Sequence, residues 1–176
     1  MMLRQGKVFR HVAAAAAIAA AATVSTAAAA PAPKKLWATV NICDTATHPN
    51  EMGVRASMSG NHTRERMWMR FHAQFYKPKT RQWFDVKGIG VSPWQYVGRA
   101  RKTQQAGYTF SFAPPAAGNA FVLRGVVDFQ WRKKKRTRRG KLRTVVVRTL
   151  HANTKGEHPS DGADPPGYSS GTCEIR

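Results

Sequence analysis

The sequence predicts an all-β protein: a two-sheet antiparallel β-sandwich with about 8–9 strands behind a cleaved export signal. Three observations carry that reading. Apolar and polar residues alternate with period two over runs of four to ten residues, the mark of half-buried strands. Turn formers interrupt the runs at short intervals: His48-Pro49-Asn50, Ser59-Gly60-Asn61, Lys77-Pro78, Gly88 to Pro93, Gln105-Ala106-Gly107 and Pro114 to Asn119. Beyond the N-terminus, no window has a comparable helical period. An up-and-down barrel is the competing architecture.

The N-terminus comes first. Arg4, Lys7 and Arg10 precede an almost pure alanine run from Val12 to Val24, followed by small residues as far as Pro31. That order of charge, apolar run and small residues is a Sec-type signal peptide, with cleavage expected near Ala29. The run is too short for a membrane anchor, which needs roughly twenty apolar residues. Residues 1–29 are therefore read as signal, 30–35 as a short linker and 36–176 as one sandwich domain, secreted and extracellular, with no transmembrane segment in the mature chain.

Strands are expected near 36–43, 53–59, 66–76, 82–87, 94–102, 107–112, 120–133 and 141–150, with a short last one at 172–175. The clearest runs from Met67 to Tyr76: Met67, Met69, Phe71, Ala73 and Phe75 take one face, and Trp68, Arg70, His72, Gln74 and Tyr76 the other. Period two then selects a core of Val54, Ala56, Met58, Met67, Met69, Phe71, Phe75, Tyr108, Phe110, Phe112, Leu123, Val127 and Phe129. Trp131 shares the face of Phe129, with Gly125 at a gap in the row. Residues 152–171, rich in glycine and proline, read as a long loop. It should return the chain so that Cys173 lies beside the first strand and Cys43.

Cys43 and Cys173 are the two cysteines of the chain. In an exported protein an even pair reads as a disulfide, and neither a CxxC nor neighbouring histidines favour redox or zinc chemistry.

The charge is extreme. The chain carries +20, and removing the signal leaves 26 basic residues against 9 acidic, about +17. Nine of those cations fall in "WRKKKRTRRGKLR", residues 131–143: Arg132, Lys133, Lys134, Lys135, Arg136, Arg138, Arg139, Lys141 and Arg143. Strand patterns abut the segment on both sides. It therefore reads as the tip of a long basic hairpin turning near Thr137 to Gly140, with Gly140 supplying a positive φ. These nine are the candidate anion-binding residues. Anionic envelope polymers or another surface protein are the candidate partners. Nucleic acid is not the expected partner of an exported chain, and no groove-reading motif is present.

The pattern Gly125-Val126-Val127-x-Phe129-x-Trp131, the basic hairpin, a second strand and then "GADPPGYSSGTCEI" resembles small secreted immunoglobulin-like or fibronectin-type sandwich domains of actinobacteria, a group of uncharacterised function. The resemblance covers roughly residues 36–176. It implies fold and export and transfers no active site. One departure stands out: antibody-type domains link cysteines across the sheets beside a core tryptophan, whereas this pair joins the first and last strands.

No catalytic motif emerges. No serine lies in a GxSxG turn, and the nine acids are scattered through loops. His48 beside Glu51 and His158 between Glu157 and Asp161 place carboxylates near histidines, but a metal needs three or four converging groups. His72 reads as a solvated outer-face residue and "PGYSSG" (166–171) as a flexible loop rather than a phosphate cradle. No cofactor, metal or catalytic residue is assigned. Most of the aromatics should be core, with Trp68, Tyr76 and Trp83 facing outward beside Arg70 and Lys77. The expected function is a non-enzymatic binding module at the cell surface or envelope. The alternatives are a polyanion binder working through the basic hairpin (nucleic acid, teichoic-type polymer or acidic polysaccharide), or a small hydrolase or inhibitor.

Overall fold

A computed structural model describes residues 36–176; the signal and linker assignments at 1–35 lie outside the described residues. Nine strands form two antiparallel sheets. Three strands of eight residues each make the smaller sheet, in the order β1 (Leu36–Cys43), β2 (Glu51–Met58), β6 (Gln104–Ser111). The larger sheet runs β4 (Gln82–Asp85), β3 (Arg66–Lys77), β7 (Phe121–Arg136), β8 (Leu142–Asn153). Its flanks are shared: β5 (Gln95–Arg99) also pairs with β3, and β9 (Cys173–Ile175) with β7. The expected strands are all present, with shifts at their ends; the fifth stops at Arg99 and the sixth starts at Gln104.

The core lies between the sheets. Ala38, Val40, Val54, Ala56 and Met58 meet Met67, Met69, Phe71, Ala73, Leu123, Val127, Phe129 and Trp131, with Phe110 and Ile175 closing the ends. Burying each Val, Leu, Ile, Met or Phe among them contributes roughly 1.5–3 kcal/mol before ordering costs. Gly125 marks the closest approach: a Cβ there would stand 2.7 Å from Val54 Cγ2 and 2.8 Å from Thr154 Cγ2, so only glycine fits.

Three core assignments need correction. Phe75 is on the inward face as expected, yet 38% exposed, because the smaller sheet does not reach it. Tyr108 and Phe112 are only partly buried at the edge of the core. Strand length explains this: β7 has 16 residues, roughly 50 Å, against the eight-residue strands opposite. The larger sheet must overhang at both ends.

The disulfide joins Cys43 to Cys173, with Cα atoms 5.3 Å apart. Cys173 thus lies beside Cys43 at the end of β1, as expected, but its strand belongs to the other sheet. β9 hydrogen-bonds to β7 through Phe121↔Ile175 and Leu123↔Cys173, not to β1. The bond therefore joins first and last strands and also crosses from one sheet to the other. The loop before β9 is stitched down rather than loose: Ser170 exchanges both backbone hydrogen bonds with Val40, at 2.9 and 3.0 Å, and Ser169 Oγ lies 2.7 Å from Thr39 Oγ1. The "PGYSSG" run is thus an ordered cover for β1.

Candidate anion-binding groove and outer face

The basic segment forms the hairpin expected of it. β7 and β8 stay paired from Arg132↔Val146 to Arg136↔Leu142, beyond the core. Gly140 takes φ 77°, Gly140 N–H donates to Thr137 O at 2.9 Å, and Thr137 N–H donates to Lys141 O at 2.8 Å. The Arg136 guanidinium also donates to Gly140 O at 2.9 Å, bracing the turn. Lys133, Lys134, Lys135, Arg136, Arg138, Arg139, Lys141 and Arg143 are exposed, while Arg132 is half-buried. Self-repulsion among so many cations is least costly on a solvated tip, and their charge also guards the exposed strands against pairing with another chain.

At its base the hairpin joins a groove of about 370 Å³ lined by Arg64, Glu65, Arg66, Arg99, Arg132, Lys133 and Lys134. Arg66 opens β3 opposite Arg132, and Arg99 closes β5 opposite Arg66, so strand pairing converges cations from three strands. Among the described residues none of these six cations has an ion pair. Glu65 instead accepts a hydrogen bond from Asn61 Nδ2 at 2.9 Å.

One cation of the groove is held rigidly. The β7–β8 register shifts between Trp131 and Arg132, where β8 carries Val147 as an extra residue, while Arg132 stays in register with Arg66 of β3. The Arg132 guanidinium lies 4.6 Å from the ring centre of Trp68 and 4.5 Å from that of Trp94, and its Nε donates to Gln130 Oε1 at 2.8 Å. Its terminal nitrogens keep no hydrogen-bond partner among the described residues. Burial, and then the charge of Arg70, lower its pKa, but a guanidinium stays protonated at neutral pH. The row continues both ways along the outer face: Arg66 over Tyr96, Tyr96 against Trp68, and Arg70 over Trp94 at 4.6 Å.

Arg70 then reaches Asp128, the least exposed carboxylate of this face at 7%. Asp128 Oδ2 accepts from Arg70 Nη2 at 2.8 Å and lies 3.0 Å from His72 Nε2; Oδ1 lies 2.6 Å from His151 Nδ1. Register builds the cluster, since Arg70↔Asp128↔His151 is one cross-strand row. Burial alone would raise the Asp128 carboxyl, but the hydrogen bonds from Arg70, His72 and His151 outweigh it and hold the pKa below the usual carboxylate value. His72 is therefore not a solvated residue; it is anchored to a buried charge.

The remaining sequence candidates resolve as structure. Trp68, Tyr76 and Trp83 do face outward, but Arg132 covers Trp68 and Arg124 lies 4.5 Å over Trp83, making a second layer rather than bare rings. Of the tryptophans, Trp131 is the one in the core; Trp37, Trp68, Trp83 and Trp94 are half-buried. His48 pairs with Glu51 at 2.9 Å, and His158 stacks on Trp37 at 4.8 Å. Among the described residues no three histidine, cysteine or acidic groups converge as a metal site, and no helix is long and apolar enough to cross a membrane. The groove residues Arg64, Arg66 and Arg99 were not singled out by sequence reasoning, because nothing local marks them; only long-range pairing brings them to Arg132. No protein-family model matches the chain, and no curated protein matches it either.

Proposed function

We propose that the protein is an exported, non-enzymatic binding module that takes an anionic polymer along the groove and basic hairpin. The observation that carries this reading is the gathering of Arg64, Arg66, Arg99, Arg132, Lys133 and Lys134 around one groove without ion-paired acids. Such a cluster is destabilised by its own field, and a polyanion relieves it. Arg132 supports the reading further: stacking and the Gln130 bond fix the guanidinium, so little rotamer entropy is lost when it pairs with a phosphate, sulfate or carboxylate. The strand order, β1-β2-β6 facing β3-β7-β8, supports an immunoglobulin-like assignment, since it follows the ABE and CFG halves of that sandwich. The inter-sheet disulfide fits an oxidising, extracellular location.

The test is binding to a teichoic-type polymer and to an acidic polysaccharide across a salt series. Affinity should fall steeply with salt, the log–log slope growing by about 0.7–0.9 for each contacted phosphate. Arg66→Gln with Arg99→Gln should flatten the slope while the fold survives. An unchanged slope in that variant, or salt-independent binding in the parent protein, overturns the groove as the site.

A further inference from the structure

The opposite end of the larger sheet carries a second surface of different chemistry. There the inward face overhangs the smaller sheet and leaves an open, wholly apolar pocket of about 270 Å³, lined by Phe75, Val86, Phe112, Phe121 and Leu123. Phe84 stacks on Phe75 at 5.8 Å and is 38% exposed; Phe121 is 40% exposed. Ile89, in the short 3-10 helix Gly88–Gly90 that follows β4, is 62% exposed. Exposed cations flank this group along the chain: Lys77, with its ammonium 5.9 Å from the Phe84 ring, then Lys79 and Arg81 in the β3–β4 turn and Lys87 after β4. The one acid of the β3–β4 hairpin and its flanks, Asp85, accepts a hydrogen bond from Gln74 at 2.8 Å.

We infer that this end is a membrane-contact surface for an anionic lipid bilayer, with Phe84, Phe121 and Ile89 entering the acyl boundary and Lys77, Lys79, Arg81 and Lys87 meeting the headgroups. Exposed apolar side chains framed by cations are what an anionic interface recognises. A second copy of the chain is disfavoured by charge, because a two-fold contact through this hairpin would bring the four cations of each copy towards their twins. A single free amphiphile would fill the pocket but leave Ile89 and the outlying cations in water. The apolar residues need no folding of a new segment, since the strands already hold them in place.

The experiment is co-sedimentation of the protein with phosphatidylcholine vesicles, with and without phosphatidylglycerol. Binding should require the anionic lipid, and vesicles with brominated acyl chains should quench tryptophan fluorescence, Trp83 being on the contact hairpin. Phe84→Ser with Ile89→Ser should weaken binding by about tenfold or more, the scale expected for withdrawing two apolar side chains from an acyl boundary. Ile89→Ser alone decides the matter if the double variant misfolds. Replacing Lys133, Lys134, Lys135, Arg138 and Arg139 by Gln should leave both lipid binding and quenching in place. The inference is overturned if that hairpin variant alone abolishes binding, if Ile89→Ser binds as the parent does, if no vesicle is bound, or if the surface instead supports a dimer that Ile89→Ser dissociates.

Discussion

The two ends of β7 solve one problem in opposite ways. A 16-residue strand faced by eight-residue strands must project from the sandwich, and it does so past Leu123 on one side and past Trp131 on the other. At the first end the projecting inner face is apolar, partly capped by Phe84 and Phe112, and clamped by the Cys43–Cys173 bond where β9 pairs with Phe121–Leu123. At the second end the projecting residues are cations with no core beneath them and no covalent clamp. The difference separates two sources of order. One end is held by burial and a cross-link; the other by hairpin hydrogen bonds alone, with Arg132 as the last residue tied to the packed body.

The largest expected effect falls on the clamped end. Cys43→Ser with Cys173→Ser opens a covalent loop spanning a sequence separation of 130, which loop-closure entropy values at about 4–5 kcal/mol. Chemical denaturation of oxidised and variant protein measures it. Hydrogen exchange should show the loss concentrated at Phe121–Leu123 and β9, with the hairpin end unchanged. Uniform loss across β7 would show that the two ends are not independent.

Next come the side chains that separate core from overhang. Phe110→Ala, at a fully packed position, should cost about 3–5 kcal/mol. Phe84→Ala, on the overhang, should cost no more than about 1 kcal/mol because its ring keeps much of its water in the native state. Equal losses in urea titrations would mean the apolar end is as tightly packed as the centre.

Between the ends sits Asp128, and it should give the protein its acid limit. Its folded pKa is lowered, so its contribution is fully present above the unfolded carboxyl value of about 3.9 and is lost as pH falls through the lower folded value. Melting temperature should therefore drop in that acid range. Asp128→Asn should remove about 3 kcal/mol at neutral pH by leaving Arg70 and two histidines without their charge partner, and should make the acid drop shallower. A variant with the parent's acid profile would assign that limit to Glu51 or Asp164, whose pKa values are also lowered, by hydrogen bonds from His48 and Ser111 and from Thr45 and Thr47 respectively.

Period two reveals which way a side chain points but not what stands across from it. Met67, Met69, Phe71, Val127 and Phe129 were legible as core because alternation alone fixes a face. Phe75 obeys the same alternation and is nonetheless exposed, since coverage depends on the length of strands in the other sheet. His72 shows the same limit on the outer face. Its position was legible as outward, but Asp128 lies 56 residues away in sequence and His151 further still. The hairpin was legible for the converse reason: its strands, turn and Gly140 are adjacent in the chain. The groove was not, because it needs the registers of β3 with β5 and with β7 at once.

The smallest expected effect on stability is at the cationic tip. Lys133, Lys134, Lys135, Arg138 and Arg139 are exposed and make no ion pair among the described residues, so replacing all five with Gln removes no packed contact. Lys135 stands directly across from Arg143, and like charges so placed destabilise a ladder. Melting should therefore stay within about 0.5 kcal/mol of the parent or rise slightly. Arg132 is left out of the set because it belongs to the other category: wedged between Trp68 and Trp94, it should cost roughly 1–2 kcal/mol when changed to Gln, through lost stacking and the lost Gln130 bond. Differential scanning calorimetry of the two variants draws the boundary between fold and ligand surface along one strand. If the five-residue variant melts far below the parent, the tip is part of the packed structure, and the boundary lies beyond Arg132.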